Sequence, residues 1–192
     1  FRKDWSAFPS HRGYLKADTD CVQRWQEKLA ALGRGLKIGI AWRGGLGKTR
    51  RHFRSIHLGE WAPILTTPGC HFISLQYGSV AQDLAECSQA CGIQPHHWDE
   101  PIENIDELAG LITALDLVIT VCNSWVHLSG ALGKPVWVLV PHIPEWRYLL
   151  EGEQLPWYSS AKLFRQPNSG QWSAPIQRVR EALTFLSGEQ EK

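Results

Sequence analysis

The segment Asp116 to Val140, DLVITVCNSWVHLSGALGKPVWVLV, admits few folds. It opens with a short unbroken apolar run, Leu117 to Val121, of the kind that forms a strand buried on both faces. Asn123 and Ser124 then offer side chains able to cap a helix. The following stretch, Ser124 to Leu132, reads as that helix, and Gly133 suits its stop. Pro135 to Val140 is a second apolar run. Strand, helix and strand joined this tightly predict a right-handed βαβ unit with parallel strands.

The rest of the chain repeats the alternation. Helices are expected from the Asp18/Thr19 cap to Gly33, at Gly59 to Thr66, Ser79 to Cys91, Asn104 to Leu115 and Ser173 to Leu186. Strands are expected at Leu36 to Trp42, Cys70 to Gln76, Ile93 to Trp98 and Ala161 to Arg165, with a proline- and tryptophan-rich loop from Pro141 to Tyr158. The fold class is α/β: a Rossmann-like, doubly wound, mostly parallel sheet of five or six strands. The chain's 192 residues suit one domain of about 150 residues and an arm. The expected division is an arm and connector helix over 1–35, the α/β domain over 36–187 and a polar tail over 188–192.

Composition removes several function classes. Twenty basic residues face 19 acidic ones, for a net charge of +1. That balance gives no global field for nucleic acid. No apolar run approaches the ~20 residues of a bilayer span. Five cysteines, odd in number and irregular in spacing, do not make a disulfide framework and point to a reducing, cytoplasmic setting. A chain that opens on Phe1 and holds no methionine reads as an excised or processed piece.

In sheets of this kind ligands bind beyond the C-terminal strand ends. Two motifs fall there. At the junction Cys122-Asn123-Ser124, the first-turn amides of the helix are unpaired and its dipole favours an anion. His127 lies one turn in, on the face of Ser124. Gly130 and Ala131 are small enough to let the helix approach the sheet. The bland alternative is an ordinary cap and a locally satisfied histidine. The second motif is the loop RGGLGKTRRHFRS, Arg43 to Ser55. Its glycines and its cations Arg43, Lys48, Arg50, Arg51 and Arg54 suit a diphosphate; the alternative is a solvated basic loop. GGLGKT imitates a P-loop, but the first required glycine position holds Trp42.

Other constellations are weaker. Cys87 and Cys91, one helical turn apart, with His96 and His97 nearby, miss the usual zinc spacings, and no metal or cofactor is expected. Ser124 lacks a G-x-S-x-G elbow. Trp146, in the loop after the last long strand of the βαβ unit, is a candidate for stacking on a sugar or base.

Taken in order, ADTDCVQRWQEKLAALG, LKIGIAWRGG, FRSIHLGEWAPIL, HFISLQYG, LAGLITALDLVIT, HLSGALGKPVWVLVP, PEWRYLL and LPWYSSAKLFRQ resemble the C-terminal domain of heptosyltransferase-like GT-B glycosyltransferases, the kind fused to tetratricopeptide repeats in bacteria. The resemblance spans roughly Tyr14 to Leu186. It implies a domain that binds a nucleotide-diphosphate sugar (ADP-, UDP- or GDP-linked) and faces an N-terminal acceptor domain that supplies the base. It implies nucleotide-sugar contacts from Arg54, Ser55, Gln76, Asn123, Ser124 and His127. It implies an inverting glycosyltransferase in the full-length protein, inactive as this domain alone. The family often carries Asp-Thr where Cys122-Asn123 stands here, which removes an acidic acceptor. That departure keeps an alternative open: a catalytically degenerate nucleotide-binding or protein-interaction module.

Overall fold

The computed structural model describes residues 4–8, 11–45 and 51–189. Within them a seven-stranded sheet forms. The strands are β1 (Leu36–Ala41), β2 (Cys70–Ser74), β3 (His96–His97), β4 (Leu117–Val121), β5 (Val136–Val140), β6 (Gln154–Leu155) and β7 (Tyr158–Arg165). Their order is β3-β2-β1-β4-β5-β7-β6. Six run parallel, and β6 closes the edge antiparallel to β7. The doubly wound α/β fold is therefore as the alternation dictated. The strand count rises to seven because β6 lies inside the segment expected to be loop.

Helices cover both faces. They are α1 (Thr19–Ala30), α2 (Ala62–Leu65), α3 (Ala81–Cys91), α4 (Glu100–Glu103), α5 (Ile105–Ala114), α6 (Ser124–Ala131) and α7 (Ser173–Glu189). Side chains alternate across a strand, and β4 shows the consequence. Leu117, Ile119 and Val121 join a core beneath α2, α3 and α7, while Val118 joins a second core beneath α1, α5 and α6. All five β4 residues are buried, which is why the run carries no polar alternation.

Sequence signals set the helix ends. The Asp18 side chain accepts from the Cys21 N–H at 2.9 Å. The Asn104 side chain accepts from Asp106 and Glu107 N–H groups. Gly92 closes α3 at φ 71°. Three expectations shift. The apolar period Val22, Trp25, Leu29 and Leu32 predicts the inner stripe of α1, but the buried face is Cys21, Trp25 and Leu29. The strand expected over Ile93 to Trp98 shrinks to two residues. A short α4 occupies part of the expected Trp98–Asn104 loop.

The segment before α1 has no period, yet its docking is definite. The N–H groups of Tyr14 and Leu15 both donate to the Ala131 carbonyl, at 2.7 and 2.9 Å. They cover the C-terminal end of α6. Gly133, at φ 73°, lies under this arm, and a Cβ there would fall 1.9 Å from the Arg12 carbonyl oxygen. At Gly130 the helix meets β7 itself: a Cβ would fall 2.2 Å from the Tyr158 ring. Gly130→Ala is expected to cost about 1–3 kcal/mol by overpacking, read as a lower urea midpoint. An unchanged midpoint would mean that Tyr158 moves aside freely.

Candidate functional site

The strand order turns back on itself between β1 and β4, and a cavity of about 380 Å³ opens above that point, at the C-terminal edge of the sheet. Each neighbouring strand sends a loop to it. Gly45 comes from the loop after β1, Tyr77 from that after β2, Ser124 and His127 from α6, and Glu145 and Arg147 from the loop after β5. Arg54 reaches it from a 3-10 turn at Arg51–Arg54.

The mouth of α6 is built by Asn123. Its backbone is extended, and its side-chain oxygen accepts from the Trp125 N–H at 3.0 Å. Its amide nitrogen donates to the Arg43 carbonyl at 3.3 Å. One side chain thus caps α6 and ties the β1 loop to it. Ser124 is left exposed in the cavity wall, its hydroxyl not used for capping. The helix dipole and first-turn amides favour an anion at this place by up to ~2 kcal/mol.

The charge in the cavity is an arginine–glutamate–arginine chain. Arg54 pairs with one oxygen of Glu145. Arg147 pairs with the other at 2.7 Å. The Arg54 side chain is only 11% exposed, so it is held and not waving in solvent. His127 lies between the rings of Tyr148 and Tyr158, with centroids 6.3 and 5.8 Å away. Burial, then the nearby Arg147, pushes its pKa below the ordinary 6.5, with Glu145 opposing. Near neutral pH the ring is uncharged and donates from one nitrogen only.

The sign of that shift sets a pH dependence. A histidine held neutral in the fold takes up its proton more readily when unfolded. Its contribution is intact above the unfolded value of 6.5 and is lost as pH falls through the folded value. Between pH 7 and pH 5 the urea midpoint of His127→Gln is expected to fall less than that of the parent chain. Parallel profiles would show that His127 does not titrate in this window.

Four expected site residues converge on the cavity: Arg54, Asn123, Ser124 and His127. Three do not. Ser55 accepts from the Gly44 N–H at 3.3 Å and donates to the Arg51 carbonyl at 2.8 Å. It lines a separate cleft with Trp42, Arg43 and Asp83. Gln76 is 1% exposed. Its side-chain oxygen accepts from the Trp42 and Arg43 N–H groups at 3.1 and 2.8 Å, and it clamps the start of the β1 loop. Trp146 is 68% exposed, packs edge-on against Trp157 at 5.8 Å and has the Arg147 guanidinium over its ring at 5.0 Å, so it flanks the cavity without lining it. Lys48 and Arg50 of the basic loop lie outside the described residues.

Glu145, Arg147 and Tyr148 were not singled out from the sequence. Their loop follows β5 at the C-terminal edge of the sheet, but nothing in its residue pattern marks which side chains turn inward. Cys122 touches the cavity yet is 1% exposed. Burial drives its thiol pKa strongly upward, so it stays protonated and cannot act as a thiolate with His127. Cys87 and Cys91 have sulfurs 3.7 Å apart, and among the described residues no group of three His, Cys, Asp or Glu side chains is placed to hold a metal ion. Nor is any described helix long and apolar enough to cross a membrane.

No family model matches the chain. It is 36% identical over 182 residues to Protein FlbA of Caulobacter vibrioides, a match that covers 92% of this chain and 30% of FlbA. The chain thus spans under a third of that relative. Among solved structures it superposes on E. coli ADP-heptose LPS heptosyltransferase II with a TM-score of 0.63 at 18% identity, covering 97% of this chain and 57% of that one. It superposes on a family 9 glycosyl transferase from Veillonella parvula DSM 2008 with a TM-score of 0.62 at 12% identity, covering 92% and 52%. The chain has the Rossmann-like fold of these heptosyltransferase-type glycosyltransferases and spans about half of each.

Proposed function

We propose that this chain is the donor-binding domain of a glycosyltransferase and holds the diphosphate of a nucleotide sugar in the cavity above β1 and β4. The observation that carries this reading is convergence. The α6 mouth with His127, Arg54 and Arg147 come from three separate chain segments and line one cavity. Three kinds of donor then face one anion: backbone amides, guanidinium groups and a neutral imidazole. The fold shared with two glycosyltransferases supports the same reading.

The division of labour follows from what the cavity contains. His127 is half-buried in the cavity wall, and its neutral ring keeps one N–H to donate to a phosphate. Cys122 offers no base. The base and the acceptor site then belong to a second domain in the full-length protein. In this reading residues 1–35 are arm and connector, and 36–187 the donor domain. A tetratricopeptide-repeat partner in the same polypeptide is part of the proposal.

Glu145 lowers the expected affinity. Arg54 and Arg147 already share its carboxylate, so a diphosphate gains only the difference between its own pairing and theirs. We expect sub-millimolar binding, about −5 kcal/mol, and no sugar turnover by this chain alone. Titration calorimetry with ADP, UDP and GDP tests this. Failure of all three to bind at millimolar concentration would remove the reading. The same self-satisfied Arg–Glu–Arg chain favours one alternative, a degenerate module that binds a protein instead of a nucleotide.

A further inference from the structure

A second cleft, of about 290 Å³, lies beside the first at the ends of β5 and β7. The two share the wall formed by Arg54, Cys122 and Glu145. Beyond that wall their chemistry differs. The second cleft is lined by Phe53, Pro141, Ile143 and Pro144, with Gln166 and Ser169. Phe53 and Ile143 are 52% and 77% exposed, so its rim presents carbon to solvent.

Gln166 brings a buried polar demand to the cleft. It is 5% exposed. Its backbone N–H donates to the Val140 carbonyl at 2.9 Å. Its side-chain oxygen accepts from the His142 N–H at 3.1 Å, which fixes which end of the amide is nitrogen. That nitrogen finds no acceptor among the described residues. A buried donor without a partner is rare in folded proteins and calls for an acceptor.

We propose that this cleft is a subsite for an acylamino group, such as an acetamido group, carried by the donor sugar whose diphosphate occupies the neighbouring cavity. The inference rests on the donor-binding reading above. An acyl carbonyl supplies the one acceptor that Gln166 lacks, and its methyl meets Phe53, Ile143 and the two prolines. A polyhydroxylated arm fits worse, because several of its hydroxyls would be buried against Phe53, Ile143 and the two prolines. The step is binding only; no bond forms or breaks in this cleft.

The test uses the isotopically labelled 192-residue chain and two probes. N,N-dimethylacetamide has a carbonyl that accepts and no N–H to donate; ethylene glycol is the hydroxyl control. Saturable shifts of the Gln166 side-chain amide and the Ile143 methyls are expected with the first and not the second. In Gln166→Glu, which keeps an oxygen for the His142 N–H, half-saturation is expected to rise about fivefold, the loss of one neutral hydrogen bond. No saturable shift, or an equal response to ethylene glycol, overturns the subsite. The sugar assignment is read from N-acetylglucosamine 1-phosphate against glucose 1-phosphate, with tighter binding of the first expected and equal binding overturning it. Neither arm contains a nucleotide. Nucleoside diphosphates that bind while both arms fail would leave the donor-binding reading standing without this inference. The converse result would confine the failure to that reading.

Discussion

Gln76→Leu lowers the stability of the chain by about 2–6 kcal/mol, because two backbone N–H groups lose their acceptor at once and each unsatisfied buried donor costs about 1–3 kcal/mol. The donors are those of Trp42 and Arg43, where β1 gives way to its loop. The Trp42 N–H has no easy route to water, since Trp42 is 1% exposed and Gln76 itself 1%, whereas Arg43 is half-buried and its N–H gives the smaller share of the loss. Leucine fills the space but accepts nothing. Gln76→Glu keeps the acceptor oxygen and is expected to lose less at high pH or low, though it buries a charge and gives up the bond from the amide nitrogen to the Tyr77 carbonyl. The measurement is a urea melt of the three proteins, paired with diphosphate titration. A ligand contact and nothing more would leave the melt of Gln76→Leu unchanged and weaken binding alone. The expected order is reversed: the melt moves first, and binding follows because the β1 loop that leads to Arg54 is no longer clamped.

Gln76 also shows where sequence reading stops. Its position at the end of an apolar strand is visible in CHFISLQ, and so is its placement on the ligand edge of the sheet. Whether its amide points to the ligand or back to the neighbouring loop depends on the distance between β1 and β2, which periodicity does not carry. Asn123 is the opposite case. A capping residue between an apolar strand and a helix has few conformations, so the sequence narrows the α6 cap to Asn123 or Ser124, and Asn123 takes it. Gly130 was read correctly as a point of close approach, although Tyr158, the side chain it meets, lies in a segment expected to be loop. The Pro141–Tyr158 segment was the least legible. It contains no period, because its residues are placed by single contacts: Arg165 donating to the carbonyls of Tyr148, Leu149, Glu151 and Gly152, and Trp157 to that of Arg147. Glu145 and Arg147 hang from that scaffold, so their place in the cavity was invisible until the scaffold was known.

Those two residues change what is expected of the cavity's principal cation. Arg54→Ala weakens diphosphate binding about 10- to 100-fold, the equivalent of losing one charge-assisted hydrogen bond at about 1.5–3 kcal/mol. The loss has two parts. The direct part is the guanidinium itself, which offers paired donors that lysine does not match, so Arg54→Lys is expected to recover only part of the affinity. The indirect part comes from Glu145. With Arg54 gone, its carboxylate keeps Arg147 but has one oxygen without its former partner, and it then repels the incoming anion. Removing the carboxylate separates the two. Glu145→Ala alone is expected to tighten diphosphate binding, because Arg54 and Arg147 no longer have a resident competitor. Arg54→Ala with Glu145→Ala is expected to bind better than Arg54→Ala alone. The double-mutant cycle therefore gives a coupling energy different from zero. Additive effects would mean that Glu145 only props the loop, and an unchanged affinity in Arg54→Ala would move the anion site out of this cavity altogether. Raising the salt concentration checks the same point by a different route: the tightening in Glu145→Ala is electrostatic and shrinks as the Debye length falls, whereas a packing effect would not.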